Sequence, residues 1–174
     1  MAWVVFLKGV NVGGHRTFRP SALAEELRPY DVVNIGAAGT FVVRSRVPRK
    51  RLEEEILGRL PFDAEVMIRD ARKFLQWSSE DPFAGQPTGP DVVRFASVAA
   101  RRPEAIPTIP MNLPSRGRWC VKVLALRGDL LFGLYRREMK AIRFLSQLEK
   151  VVGVSLTTRS WNTVLAMTRV LADA

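Results

Sequence analysis

The residues best suited to chemistry in this sequence lie in a glycine-rich segment that follows the first apolar run. The segment reads Lys8-Gly9-Val10-Asn11-Val12-Gly13-Gly14-His15-Arg16-Thr17. A glycine-rich turn between a strand and a helix can bind phosphate through its backbone N–H groups. We therefore predict an anion site with the candidate residues Lys8, Gly9, Asn11, Gly13, Gly14, His15 and Arg16. A tight structural turn, with Asn11 hydrogen-bonded to the backbone, explains the same residues equally well.

This segment differs from a nucleotide-binding P-loop. Gly9 and Gly14 have the P-loop spacing, but His15 and Arg16 stand where that loop has a lysine and a serine or threonine. The lysine of a P-loop contacts phosphate and its hydroxyl residue binds the magnesium ion. Because both are missing, the sequence excludes a site of that kind.

The counts of histidine and cysteine exclude further chemistries. His15 is the only histidine and Cys120 the only cysteine, whereas a structural zinc site takes four such ligands. A histidine-dependent triad would have to use His15, and the sequence contains no Gly-x-Ser-x-Gly elbow. Cys120 lies in an apolar run, as a small buried side chain does. We expect neither a metal nor a cofactor.

A second polar group lies around the start of the final helical pattern, at residues 157–164. Its candidate ligand residues are Arg159, Trp161 and Asn162, since the N-terminus of a helix attracts anions. Alternatively, Trp161 fills the core and Asn162 hydrogen-bonds the backbone at the start of the helix. The structural alternative is slightly favoured.

The positive charge is concentrated in the second half of the chain. The net charge is +10, with 13 basic and 11 acidic residues in 1–87 and 14 and 6 in 88–174. Residues 136–152 predict a long helix with an apolar stripe on one side. Its opposite side carries the basic patch Arg136, Lys140, Arg143 and Lys150. This patch could neutralise phosphates, although a solvated helix face is the simpler interpretation.

The pattern of elements in the first half is strand, helix, strand, strand, helix, strand, followed by one more helix. The predicted strands are 3–7, 31–35, 40–44 and 65–69, and the predicted helices are 20–27, 48–60 and 70–77. This order is the split βαβ arrangement of ferredoxin-like folds.

The second half repeats this order less regularly. Strands are predicted at 92–98, 119–126, 130–135 and 154–157, and helices at 136–152 and 161–172, while four prolines in 101–118 oppose a long helix there. We predict an α+β protein of two ferredoxin-like (βαββαβ) units in tandem, with antiparallel sheets and helices packed on one face. The units are residues 1–80 and the basic residues 92–174, joined by a linker at 81–91.

Four stretches support a resemblance to the domain of unknown function 1697 family, one of them, residues 32–43, because it stands where that family has its second hairpin. Residues 6–14 resemble its Leu-Arg-Gly-Ile-Asn-Val-Gly-Gly opening, residues 81–83 its Asn-Pro-Phe, and residues 157–164 its Thr-Thr-Arg-Asn-Trp-Asn-Thr-Val ending. The resemblance implies a bacterial cytosolic protein with paired ferredoxin-like halves, and it implies no activity. Residues 37–40 read Ala-Ala-Gly-Thr where the family often has Gln-Ser-Gly-Asn, and Lys8 replaces the more usual arginine.

Three functions remain open at this point. The first is binding of a phosphate-bearing ligand, either nucleic acid or a nucleotide, through the glycine-rich loop and the basic second half. The second is a small-molecule enzyme with a site between the two halves, and the third is a homodimeric interaction module. Because the apolar run at 2–7 ends after about six residues and no apolar stretch approaches the twenty or so that span a bilayer, we expect a cytoplasmic protein that does not enter a membrane.

Overall fold

The computed structural model describes residues 1–173, which form two compact units. Unit 1 comprises Met1–Ser78 and the chain from Asn162 onward, and unit 2 comprises Ser79–Trp161. The final helical segment therefore groups with unit 1, whereas the sequence pattern predicts that it belongs to the second half. The predicted linker at 81–91 lies within unit 2. Over the described residues the protein is α+β, with two antiparallel sheets and five α-helices.

The strands and helices of unit 1 lie close to the predicted ones. They are β1 (Trp3–Lys8), α1 (Pro20–Glu26), β2 (Val32–Asn34), β3 (Thr40–Val43), α2 (Arg49–Leu57), β4 (Glu65–Asp70) and α3 (Ala71–Ser78). The sheet has the order β2-β3-β1-β4, and each neighbouring pair is antiparallel. The central strand β1 is buried from Val4 to Leu7, as its continuous apolar run predicts.

Helices cover both faces of this sheet, so the prediction of helices on one face is wrong for unit 1. Val5 and Leu7 pack in a core with Leu23 of α1 and Leu52 of α2. Successive side chains of a strand point to opposite faces, and Phe6 packs on Phe74 of α3 with ring centroids 6.0 Å apart. A strand that is apolar on both faces needs cover on both.

Unit 2 has a sheet of the order β6-β7-β8-β5-β9, again antiparallel throughout. Its elements are β5 (Val92–Ala99), β6 (Met111–Leu113), β7 (Val121–Arg127), β8 (Leu130–Arg136), α4 (Met139–Val152) and β9 (Leu156–Ser160). The chain continues directly into α5 (Trp161–Ala172). As predicted, the proline-rich segment between β5 and β6 forms no helix. The edge strand β6 was not predicted.

The helix α4 begins later than the predicted start at residue 136. Arg136 instead ends β8, where it pairs with Val92 of β5, and its N–H donates to the Cys120 carbonyl at 2.9 Å. Glu138 is extended (φ −144°, ψ 153°) and stands just before the helix. At Arg136, hydrogen bonding across the sheet therefore determines the backbone conformation, although the helical periodicity predicts a helix there.

None of the helices within residues 1–173 combines the length and the apolar character that a bilayer crossing would require.

Candidate functional site

The glycine-rich segment forms a small hairpin. Gly13 and Gly14 both have positive φ, at 55° and 78°, and the His15 N–H donates to the Val12 carbonyl at 3.0 Å. Positive φ at both central residues defines a two-residue turn of type I′. The Asn11 N–H donates in turn to the Arg16 carbonyl at 3.2 Å. Two N–H groups that a phosphate cradle would use are therefore engaged within the hairpin itself.

Asn11 fastens this hairpin to the rest of unit 1. Its Nδ2 donates to the Ala37 carbonyl at 2.8 Å, and its Oδ1 accepts the Phe18 N–H at 2.9 Å. Its φ of 54° lies in the left-handed region, which asparagine tolerates better than most residues. The geometry favours the structural interpretation of Asn11.

The basic residues of the segment lie around this hairpin. The Arg16 guanidinium lies over Gly9, since a Cβ built on Gly9 would be 3.7 Å from Arg16 Nη1. His15 is exposed, and Lys8 at the end of β1 is half-buried. The helix α1 begins only at Pro20 and has seven residues, so its N-terminus does not extend the hairpin into a phosphate cradle. An anion site here stays a prediction, carried by side chains alone.

The three candidate residues near the start of α5 have different surroundings, and Asn162 is exposed. Arg159 is 8% exposed, and its Nη1 donates to Thr157 Oγ1 at 2.8 Å and to the Thr158 carbonyl at 2.9 Å. Burial lowers the pKa of Arg159 to about 10. The Trp161 ring meets the edges of Phe83 and Phe132, with centroids 5.1 and 5.8 Å apart. These contacts favour a packing role for Trp161.

A basic surface that was not predicted from the sequence surrounds Trp119 in unit 2. The Arg136 guanidinium lies 4.1 Å from the centroid of the Trp119 ring, and its Nε donates to the Trp119 carbonyl at 3.0 Å. The Lys122 ammonium lies over the same ring at 5.1 Å. The half-buried Trp119 ring therefore makes cation–π contacts with two positively charged side chains, and such contacts stabilise their charge.

Glu138 is a carboxylate close to Arg136 and to two further cations, Arg118 and Lys140. Its Oε1 accepts a hydrogen bond from Cys120 Sγ at 2.9 Å. That hydrogen bond, together with Arg118, Lys140 and Arg136, holds the pKa of Glu138 below its ordinary value. The same hydrogen bond, followed by burial, raises the pKa of Cys120. One carboxylate is thus close to three cations and already accepts a hydrogen bond from a thiol. We define the Trp119 cluster as Arg118, Trp119, Lys122, Arg136 and Lys140.

The predicted basic patch is divided in the structure. Arg136 belongs to β8 and to the Trp119 cluster, and not to the helix. Lys140, Arg143 and Lys150 are exposed on α4 and extend along it for about 15 Å at 1.5 Å per residue. Lys140 is shared, because it acts on Glu138 from the first turn of α4. The patch therefore continues from the Trp119 cluster along the helix.

Trp119 and Lys122 were not predicted as site residues, because the apolar pattern around them predicts a strand and both were interpreted as part of it. A signal was present: a tryptophan preceded by Arg118 and followed by Lys122 is a basic group interrupted by an aromatic ring.

Among residues 1–173, no group of three or more histidine, cysteine, aspartate or glutamate side chains could hold a metal ion.

The protein is therefore an α+β protein whose unit 2 carries a basic surface centred on an aromatic ring. The chain belongs to the family described as protein of unknown function (DUF1697), whose model matches residues 1–110. Residues 157–164, which carried part of the resemblance, lie beyond the matched range.

A solved structure shares this fold over nearly its whole length. It is that of a conserved bacterial protein from Streptococcus pneumoniae, with a TM-score of 0.62 and 14% sequence identity. The similarity covers 97% of this chain and 97% of that one. No curated protein matches the sequence.

The contacts of Asn11 predict a stability effect. We expect Asn11→Ala to lower the free energy of unfolding by about 2 to 3 kcal/mol, because two hydrogen bonds are lost and alanine disfavours positive φ. Asn11→Gly, which keeps the backbone conformation, is expected to lose about 1 to 2 kcal/mol. Urea denaturation measures both. Equal stability of Asn11→Ala and the wild type would refute the structural interpretation of this residue.

The contact between Cys120 and Glu138 predicts a pH effect. The thiolate form of Cys120 is disfavoured in the fold, so its alkylation by iodoacetamide should rise with pH only above the ordinary thiol range. Glu138→Gln removes the negative charge, and we expect the midpoint of the rate profile to move to lower pH. Alkylation rates between pH 7 and 11 measure this, with urea-denatured protein as the reference. An identical midpoint in the variant and the wild type would rule out the carboxylate as the cause.

Proposed function

We propose that unit 2 binds nucleic acid, mainly through its phosphates, at the Trp119 cluster and along α4. The observation that carries the proposal is the gathering of four cations around one tryptophan and one carboxylate that is already hydrogen-bonded. Basic side chains interleaved with an aromatic ring are the combination that nucleic-acid-binding surfaces use.

The charge balance of this surface supports a polyanionic ligand. Arg136 and Lys122 rest on the ring of Trp119, while Arg143 and Lys150 on α4 are exposed to solvent. Each phosphate that such a side chain neutralises releases a condensed counterion, which makes the affinity dependent on salt. The N-terminal end of α4 adds a partial positive charge beside Lys140.

The glycine-rich hairpin makes no phosphate contact in this proposal. Its N–H groups at Asn11 and His15 are used within the hairpin, and Asn11 holds it to the turn that contains Ala37. We therefore assign the phosphate contacts to unit 2.

The strand orders support two ferredoxin-like units in tandem. In unit 1 the succession of strands and helices gives the order β2-β3-β1-β4. In unit 2 the strands β7-β8-β5-β9 follow the same order, with β6 added at the edge. The irregular proline-rich segment after β5 takes the place of the first helix. We infer one fold plan used twice, with the basic surface on the second copy.

A titration across salt concentrations tests the proposed function. Fluorescence anisotropy of a labelled 20-nucleotide DNA, single-stranded or duplex, would be measured between 50 and 300 mM KCl. For four to six phosphate contacts, the logarithm of the binding constant should fall against the logarithm of salt with a slope of about −3 to −5. Polyglutamate of equal length serves as the control polyanion and should bind more weakly. Absence of binding to either DNA at 50 mM KCl would disprove the proposal.

A further inference from the structure

We infer that the nucleic acid held at the Trp119 cluster is single-stranded, with an unpaired base stacked against the Arg136–Trp119 pair. This inference rests on the proposed function and adds the class of ligand to it.

The first support is the way Arg136 is held. Its guanidinium lies 4.1 Å from the Trp119 ring centroid, and its Nε is tied to the Trp119 carbonyl. The planar group is therefore fixed by two contacts instead of moving freely in solvent. Unpaired bases stack on aromatic rings and on arginine guanidinium planes. A guanidinium that is already fixed on a ring loses little conformational entropy when a base joins the stack.

The second support is the exposed apolar surface at the start of α4. Met139 and Ile142 are 84% and 63% exposed, and Met139 directly precedes Lys140, a member of the cluster, in the first turn of α4. Apolar side chains gain nothing from phosphates, whereas they can cover the face of a base. Exposed apolar side chains beside basic residues are therefore suited to a ligand that presents unpaired bases.

A duplex cannot use either feature in the same way. Its bases are stacked on one another, so it presents mainly phosphates and base edges to a protein. Aromatic stacking is available to every base of a single strand, with little dependence on sequence. The Trp119 cluster should therefore bind single strands more tightly than duplexes, while Arg143 and Lys150 contribute equally to the affinity for both.

The experiment compares one 20-nucleotide strand with its duplex in anisotropy titrations at one salt concentration. Wild-type protein should bind the single strand about tenfold more tightly, in line with the gain from stacking one base. Arg136→Lys keeps the charge and removes the planar group, so it should lower single-strand affinity about five- to tenfold and leave duplex affinity unchanged. Arg143→Gln is the matched comparison and should weaken both ligands equally.

Each outcome decides between the two claims. Equal affinities of the wild type for the two ligands, or an equal loss for both in Arg136→Lys, would overturn the single-strand inference and leave nucleic-acid binding intact. Absence of binding to both would overturn the proposed function itself. Thermal unfolding of Arg136→Lys is measured in parallel. If Arg136→Lys is destabilised, Met139→Ser, at an exposed position, replaces it and should also weaken the single strand alone.

Discussion

Reversing two charges of the Trp119 cluster, in the double variant Arg118→Glu and Lys140→Glu, should lower the affinity for nucleic acid about a thousandfold. Each reversal replaces an attraction of about 1 kcal/mol, for charges 4 Å apart in water, by an equal repulsion. Two reversals therefore change the binding free energy by about 4 kcal/mol, which is close to three factors of ten. Anisotropy titration at 100 mM KCl measures this change.

The control for this variant changes the same kinds of residue in unit 1. Arg49→Glu with Lys73→Glu alters the net charge by the same amount at two exposed positions. We expect this control to lose only the small, long-range part of the attraction, which salt screens beyond about 10 Å. Equal losses in the two double variants would mean that total charge, and not the Trp119 cluster, determines binding.

Gly39→Ala should lower the free energy of unfolding by about 3 kcal/mol, the largest effect of a single methyl group that we predict in unit 1. A Cβ on Gly39 would lie 2.9 Å from Leu7 Cβ and 2.9 Å from Val10 Cγ2. Overpacking a buried site costs about 1 to 3 kcal/mol, and the positive φ of 71° at Gly39 adds about 1 to 2 kcal/mol for a residue with a side chain.

Gly36→Ala separates these two contributions within the same turn. Gly36 also has positive φ, at 73°, but a Cβ there would have no neighbour within 4 Å. The control should therefore lose only about 1 to 2 kcal/mol, the backbone part of the effect. Urea denaturation of both variants gives the comparison. Similar losses would show that the contact of Gly39 with Leu7 and Val10 does not determine stability.

Much of unit 1 could be predicted from local patterns. The strands β1, β3 and β4 coincide within a residue with apolar runs bounded by turn residues, because burial and turn chemistry both act locally there. The need for a covering layer on the second face of β1 could also be predicted from the sequence. A run that is apolar at every position from Val4 to Leu7 needs two covering layers, and α3 with Phe74 provides one of them.

The Trp119 cluster could not be predicted in the same way, because it depends on the register of β7 and β8. The turn at residues 127–129 predicts the hairpin, but the register shifts between Val123 and Ala125. That shift decides which residue faces Arg136 across the sheet. The helical periodicity of residues 136–152 also grouped Arg136 with α4, although strand pairing with Val92 holds it in β8. Interactions between distant residues determined both outcomes.

A titration of the tryptophan indole N–H signals by NMR shows whether nucleic acid binds at the Trp119 cluster. The chain has four tryptophans, and Trp119→Phe assigns the signal of the cluster by its absence. On addition of an unlabelled single-stranded oligonucleotide, the Trp119 signal should shift in a saturable way while the signals of Trp3 and Trp77 stay in place. A Trp119 signal that does not move at saturation would mean that nucleic acid does not bind at the Trp119 cluster.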